Sequence, residues 1–273
     1  MICTTIPLSP DGRVNLRTYI HGQTQNGMRI PPRSAIIVLP GGAFTMLSEN
    51  EAEPVALTFA KEGFSTFVLN YSIGEDSAFP NPLDDVSRAI WEVRRNATEW
   101  NIHPDRIALM GFSAGACVAA MSATQWNTPG LAERLNIPEE GIKPNAAVIG
   151  YGASLLSTIF DSQDENLIVP TPGRITADRT PQVDVVNYVN AKTAPMFIWH
   201  NRYDLYVPVV NPLLLANKMA ELQLPFELHI YQSGRHGMSV NNRLTNPSGE
   251  GIDESVQSWV PLCVLWLEKC MSV

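Results

Sequence analysis

The sequence predicts an α/β fold, with a mostly parallel central sheet and helices on both of its faces. Three observations carry that expectation. Continuous apolar runs such as Ser34–Leu39 and Arg106–Met110 suit strands buried on both sides. Segments with apolar residues at helical spacing alternate with these runs along the chain. Between one such run and a small-residue stretch, Ala116–Ala123, stands Gly111-Phe112-Ser113-Ala114-Gly115. Strand, GxSxG and helix in that order form a nucleophile elbow, a strained turn that lifts a serine Oγ clear of the sheet. A chance surface turn carrying a serine is the plainer alternative, and the flanking elements count against it.

Taken in order, Asp11-Gly12 marks a turn and Val14–Ile20 alternates as a strand does. Pro31-Pro32 stops the chain before the strand Ser34–Leu39, which exits into Pro40-Gly41-Gly42-Ala43-Phe44. A helix is expected over Glu51–Glu62, ended by Gly63. The strand Ser65–Asn70 follows, then a helix over Asp84–Trp100 with Val86, Ile90, Val93 and Ala97 on one face. After the elbow, Asn145–Gly150 reads as another buried strand. From about Ala153 to Asn190 the pattern breaks into Pro, Thr, Asp and Asn, with only a short helix at Val183–Asn190. A stretch of that kind within one compact domain reads as a lid-like insertion. Strand Pro195–His200, helix Asn211–Leu222, strand Phe226–Tyr231 and a helix over Glu254–Met271 complete the chain. The last carries Trp259, Cys263, Trp266 and Cys270 along one stripe. The expected organisation is a single domain over residues 1–273.

Hydrophobic residues make up 45% of the 273, enough for a sizeable core, and the formal net charge is −8. That charge argues against nucleic acid and against an anionic membrane as partners. The four cysteines show no metal spacing. Residues Met1–Pro7 lack a basic segment followed by an apolar core, and no run is long enough to span a bilayer. A cytoplasmic location is the expectation, with homo-oligomerisation left open.

A nucleophilic serine needs a histidine base, and the histidine needs an acid to orient it. His21, His103, His200 and His229 fall beside or within strands and turns, where structural roles suffice. His236 lies past the final strand in Gly234-Arg235-His236-Gly237, a loop able to reach over the sheet edge. In this chain order the acid stands between the two. Asp204, just after strand Pro195–His200 in Asn201-Arg-Tyr-Asp-Leu-Tyr-Val-Pro208, is preferred over Asp161, Asp164, Asp178 and Asp184 of the polar insertion. Paired glycines after a central strand let backbone N–H groups point at a developing oxyanion, so Gly42 and Ala43, with Ala114 after the nucleophile, are the candidate donors.

The set PGGAF, GFSAG, YDLYVP and GRHG resembles the α/β-hydrolase fold. Within it the likeness is to bacterial acetyl esterases and xylan-esterase-like carboxylesterases, a group similar to the hormone-sensitive-lipase family. The runs Asn101–Gly115 and Phe79–Asp85 extend it, over about residues 34–271. Two positions depart from the family's HGGG motif: Pro40 replaces the histidine and Ala43 the third glycine. Ala116 also stands where many relatives carry glycine. The resemblance implies a serine carboxylesterase. The polar insertion, with Asp161, Asp164, Glu165, Asp178 and Asp184, points to short acyl chains, acetyl to butyryl, and together with the resemblance to acetylated sugars or xylo-oligosaccharides. A small-molecule ester is then the partner, and neither metal nor organic cofactor is needed. An arylformamidase-like amide hydrolase and a non-catalytic binding protein on the same scaffold are the rival readings.

Overall fold

The computed structural model describes residues 1–156 and 184–271. Its framework is one eight-stranded sheet. Strands β1 (Thr5–Pro7), β2 (Asn15–Tyr19), β5 (Arg33–Leu39), β6 (Ser65–Asn70), β7 (Ile102–Phe112), β8 (Ala146–Gly150), β9 (Met196–Asn201) and β10 (Phe226–Tyr231) lie in the order β1-β2-β6-β5-β7-β8-β9-β10. From β6 to β10 all neighbours are parallel, while β1, β2 and β6 pair antiparallel at one edge. A hairpin of two short strands, β3 (Thr24–Gln25) with β4 (Met28–Arg29), stands apart.

Successive strand side chains point to opposite faces, so each central strand feeds two cores. Ile37, Leu39, Leu109, Ile149 and Ile198 pack under helices Asn81–Arg95, Ala114–Gln125 and Val210–Glu221. Ile36, Val38, Met110, Val148 and Trp199 pack under helices Glu53–Lys61 and Trp259–Cys270. Both faces are therefore sealed, which is why the strands read as unbroken apolar runs rather than alternating ones. At about 1.5–3 kcal/mol for each large apolar side chain removed from water, these two layers dominate the favourable side of folding. Helix Ala114–Gln125 is buried along its entire length. Its alanines, Gly115 and Cys117 let it lie close against both the sheet and helix Asn81–Arg95.

The elements depart from expectation in local ways. Glu51 closes a 3₁₀ turn, Glu49–Glu51, and the helix proper starts at Glu53 with Pro54 in its first turn. The second helix begins earlier, at Asn81, with Pro82 in its first turn, and breaks at Asn96 before a last turn Ala97–Trp100. The expected C-terminal helix is two pieces, Glu254–Gln257 and Trp259–Cys270. Its buried stripe is Val256, Trp259, Cys263 and Leu267, steps of three, four and four residues that leave Trp266 and Cys270 only partly covered. The short helix near 183–190 is the 3₁₀ turn Val185–Tyr188. Most of the expected insertion, residues 157–183, lies outside the described residues.

Candidate active site

Five neighbouring strands, β5, β7, β8, β9 and β10, deliver a loop each to the same end of the sheet, their carboxyl ends. This is where open parallel sheets place their chemistry. Ser113 follows β7 with φ 51° and ψ −117°, a conformation costly for any residue with a Cβ. The turn is held because Ser113 N–H donates to Gly150 O at 3.0 Å, and because helix Ala114–Gln125 presses directly on the end of β5. At Gly115 a Cβ would sit 2.0 Å from Leu39 O and 2.5 Å from Pro40 O. Only glycine admits that approach.

The structure brings Ser113, His236 and Asp204 together. Ser113 Oγ lies 2.9 Å from His236 Nε2, and His236 Nδ1 lies 2.6 Å from Asp204 Oδ2. The other oxygen of Asp204 accepts N–H bonds from Tyr206 and Val207, both at 2.9 Å. Burial works to raise the Asp204 pKa, but the hydrogen bond and charge of His236 and the two backbone donors outweigh it. The carboxyl is held below its ordinary value. His200, fully buried, touches Val207 O through Nε2 at 2.9 Å. Burial lowers its pKa, and through Val207 the ring backs the Asp204 turn. His21, His103 and His229 satisfy Ala60 O, the Asp105 N–H and Glu227 respectively. None of those three meets Ser113.

The loop after β5 is backbone under constraint. Gly42, Ala43 and Phe44 have φ of 127°, 57° and 60°. A Cβ at Gly42 would lie 2.2 Å from Met46 O. Tyr71 Oη donates to Pro40 O at 2.6 Å, and the N–H groups of Thr45 and Met46 both donate to Gly42 O. With these bonds made, the N–H groups of Gly42, Ala43 and Ala114 have no acceptor among the described residues. All three residues line the same cavity as Ser113 and His236. Its volume is about 400 Å³, and its walls are mainly apolar, including Phe44, Met46, Ala153, Leu156, Tyr206 and Val207.

Sequence reasoning missed the groups that hold these loops. Asn201 Nδ2 donates to Arg235 O at 2.7 Å, fixing the chain just before His236. Tyr151, directly after β8, packs edge-on against the His236 ring with centroids 5.0 Å apart. Glu51 lies buried in the cavity wall, accepting from Gly41 N–H and Tyr151 Oη. Burial pushes its pKa up, with those two hydrogen bonds and the nearby His236 pulling partly back. The signal that could have found Tyr151 is its place at a strand's carboxyl end. For Glu51 there was none, since an acidic residue beside a helix start normally serves the helix dipole. Among the described residues, no group of three or more His, Cys, Asp or Glu side chains is arranged to hold a metal. No helix among them is long and apolar enough to cross a membrane.

Residues 24–219 match the BD-FAE family model, well over half of the chain. The chain belongs to the BD-FAE family. Its fold is that of the α/β hydrolases. A carboxylesterase from Lactobacillus plantarum superposes with a TM-score of 0.86 at 25% identity, covering 98% of each chain. Among curated relatives, endo-1,4-β-xylanase B of Butyrivibrio fibrisolvens is 29% identical over 84% of this chain and 35% of its own length. The acetylxylan esterase of Xylanibacter ruminicola is 28% identical over 85% of this chain and 45% of its own. This BD-FAE chain spans less than half the length of the curated relatives it matches.

Proposed function

We propose that the protein is a serine carboxylesterase that hydrolyses short-chain acyl esters, acetyl to butyryl, and removes acetyl groups from acylated sugars. The observation that carries this reading is the hydrogen-bonded chain Ser113–His236–Asp204 beside a cavity lined by Gly42, Ala43 and Ala114, whose N–H groups have no acceptor among the described residues. Ser113 Oγ attacks the ester carbonyl as its proton passes to His236 Nε2. Asp204 holds the imidazole so that Nδ1 keeps its proton and Nε2 presents its lone pair. The oxygen, now negative, is met by the N–H groups of Gly42, Ala43 and Ala114. Collapse returns the proton from His236 to the leaving alcohol and leaves an acyl-serine, which water hydrolyses by the same steps in reverse.

Support for the ester class comes from the esterase relatives, and support for an acetylated sugar from the acetylxylan esterase among them. Acyl length is argued from space. The apolar walls at Phe44, Ala153, Leu156 and Val207 can cover a few carbons. In the sequence, Asp161, Asp164, Glu165 and Asp178 make residues 157–183 polar, a composition that favours short acyl chains over long alkyl ones. Each buried methylene is worth about 0.8 kcal/mol, so a longer apolar channel would show kcat/KM still rising with chain length. The test is a p-nitrophenyl ester series from two to twelve carbons, with acetylated xylo-oligosaccharide and N-formylkynurenine alongside. We expect a maximum at acetate to butyrate, a steep fall by octanoate and acetate release from the oligosaccharide. A rate still climbing at octanoate contradicts the acyl-length reading, and formamide cleavage faster than any ester contradicts the ester class.

A further inference from the structure

The oxyanion loop and the histidine loop leave the sheet from β5 and β10, with three strands between them. Catalysis by Ser113 requires the two to be held in register, yet no hydrogen bond joins them directly among the described residues. One short segment, Asn50–Glu51, touches both. Glu51 Oε2 accepts from Gly41 N–H at 2.8 Å, and Oε1 accepts from Tyr151 Oη at 2.6 Å. The same Tyr151 oxygen accepts from Ser239 N–H at 3.0 Å, three residues past His236, while the tyrosine ring packs on the imidazole. Asn50 O takes a second bond from Ser239, from Oγ at 2.7 Å.

The chemistry of these groups fixes the direction of each bond. Gly41 N–H and Ser239 N–H can only donate. Tyr151 therefore receives Ser239 and turns its own proton to Glu51, and Glu51 must accept twice. Gly41 has no slack in which to absorb an error: a Cβ there would lie 2.6 Å from Glu51 Oε2 and 2.8 Å from Ser113 Cβ. A displaced carboxylate thus moves the loop that carries the Gly42 and Ala43 N–H groups. At the other arm it frees the ring that flanks His236.

We propose that Glu51 is a positioning residue of the esterase site, a buried double acceptor that sets the oxyanion loop and, through Tyr151, the histidine loop in one register. The proposal rests on the serine-esterase reading and adds to it a residue that is hydrogen-bonded to neither Ser113 nor His236. A glutamine at this position keeps the shape but offers one acceptor and one donor. Its amide group must then meet either Gly41 N–H or the already occupied Tyr151 hydroxyl with a donor.

The experiment measures p-nitrophenyl acetate turnover by the wild type, Glu51→Gln, Tyr151→Phe and the double variant. Rates are expressed per serine titrated to completion with a fluorophosphonate, so that unfolded protein is not counted. Inert wild type would refute the esterase reading itself, and with it this proposal. With active wild type, we expect Glu51→Gln to lower kcat about 10- to 100-fold, the scale of a small misplacement of reacting groups, with KM changed less than about threefold. Tyr151→Phe should give a smaller loss, and the double variant should fall short of the product of the two, as members of one network do. Unchanged kcat per titrated serine in Glu51→Gln, or a raised KM at unchanged kcat, overturns the proposal. So does full multiplicativity of the two changes. Should Glu51→Gln fail to fold, Tyr151→Phe decides alone: a lowered kcat at constant KM supports the coupling, and an unchanged one overturns it.

Discussion

An acid that orients a histidine must stay charged and must not swing. Asp204 meets both demands through one turn. Burial alone would favour its neutral form, yet His236 and two backbone N–H groups bring its pKa below the ordinary 3.8. Because those donors occupy one oxygen, the other is left to the imidazole. Asp204→Asn keeps the shape but presents either the wrong tautomer partner or a broken turn. We predict a loss of about 10⁴-fold in kcat, as the same change causes in the serine-protease template, measured with p-nitrophenyl acetate at pH 7. The stability consequence has a definite sign. A carboxyl whose folded pKa is depressed contributes fully above its unfolded value and loses that contribution as the pH falls through the folded one. The stability gap between wild type and Asp204→Asn, read from urea midpoints, should therefore narrow as the pH is taken below 3.8. A gap that is unchanged in acid would mean that the charge of Asp204 does not contribute to folding. Glu51 runs the other way: its raised pKa means that the native state binds the proton more tightly, so its share of stability declines as pH rises above the ordinary 4.5.

At the scale of elements, the elbow is a junction of three pieces that must touch without side chains between them. Gly115 is the contact point, facing the carbonyls of Leu39 and Pro40. Neither is the end of a flexible side chain, so a methyl group there can be accommodated only by moving β5 or the helix. We predict that Gly115→Ala costs about 3 kcal/mol or more, the upper part of the range for overpacking, and lowers Tm by roughly 6–12 °C in a chain of this size. Calorimetry checks this, and a Tm within about 2 °C of wild type would show that the junction can yield without cost. The strands of this junction are legible in the sequence because burial on both faces writes them as unbroken apolar runs. The termini of the helices are not. Pro54 and Pro82 sit in first turns, where proline is tolerated, and an apolar count alone places the start elsewhere. Edge strand β1 and the hairpin β3–β4 carry too few residues to show a period. In the C-terminal helix, a tryptophan and a cysteine draw attention from Leu267, although the four-residue step from Trp259 through Cys263 leads to it directly.

Across the whole molecule, the order of the strands is also the order of the site. Side by side, β5, β7, β8, β9 and β10 supply Gly42 and Ala43, Ser113, Tyr151, Asp204 and His236. That is why most residues bearing chemistry can be read from the sequence: each follows an apolar run, and in a parallel sheet all such ends meet on one side. The polar residues that tie the loops together leave no such mark, because Glu51, Asn201 and Ser239 act across strands remote from one another in the chain. Central to the account is that Ser113 is the nucleophile at this meeting point. The measurement that tests it most directly is acyl-ester turnover by Ser113→Ala, alongside fluorophosphonate labelling of both proteins read by intact mass. One adduct is expected on the wild type and none on the variant, with kcat lowered by roughly 10⁴- to 10⁶-fold in a protein that still unfolds cooperatively. Turnover and labelling at wild-type levels in folded Ser113→Ala would contradict it.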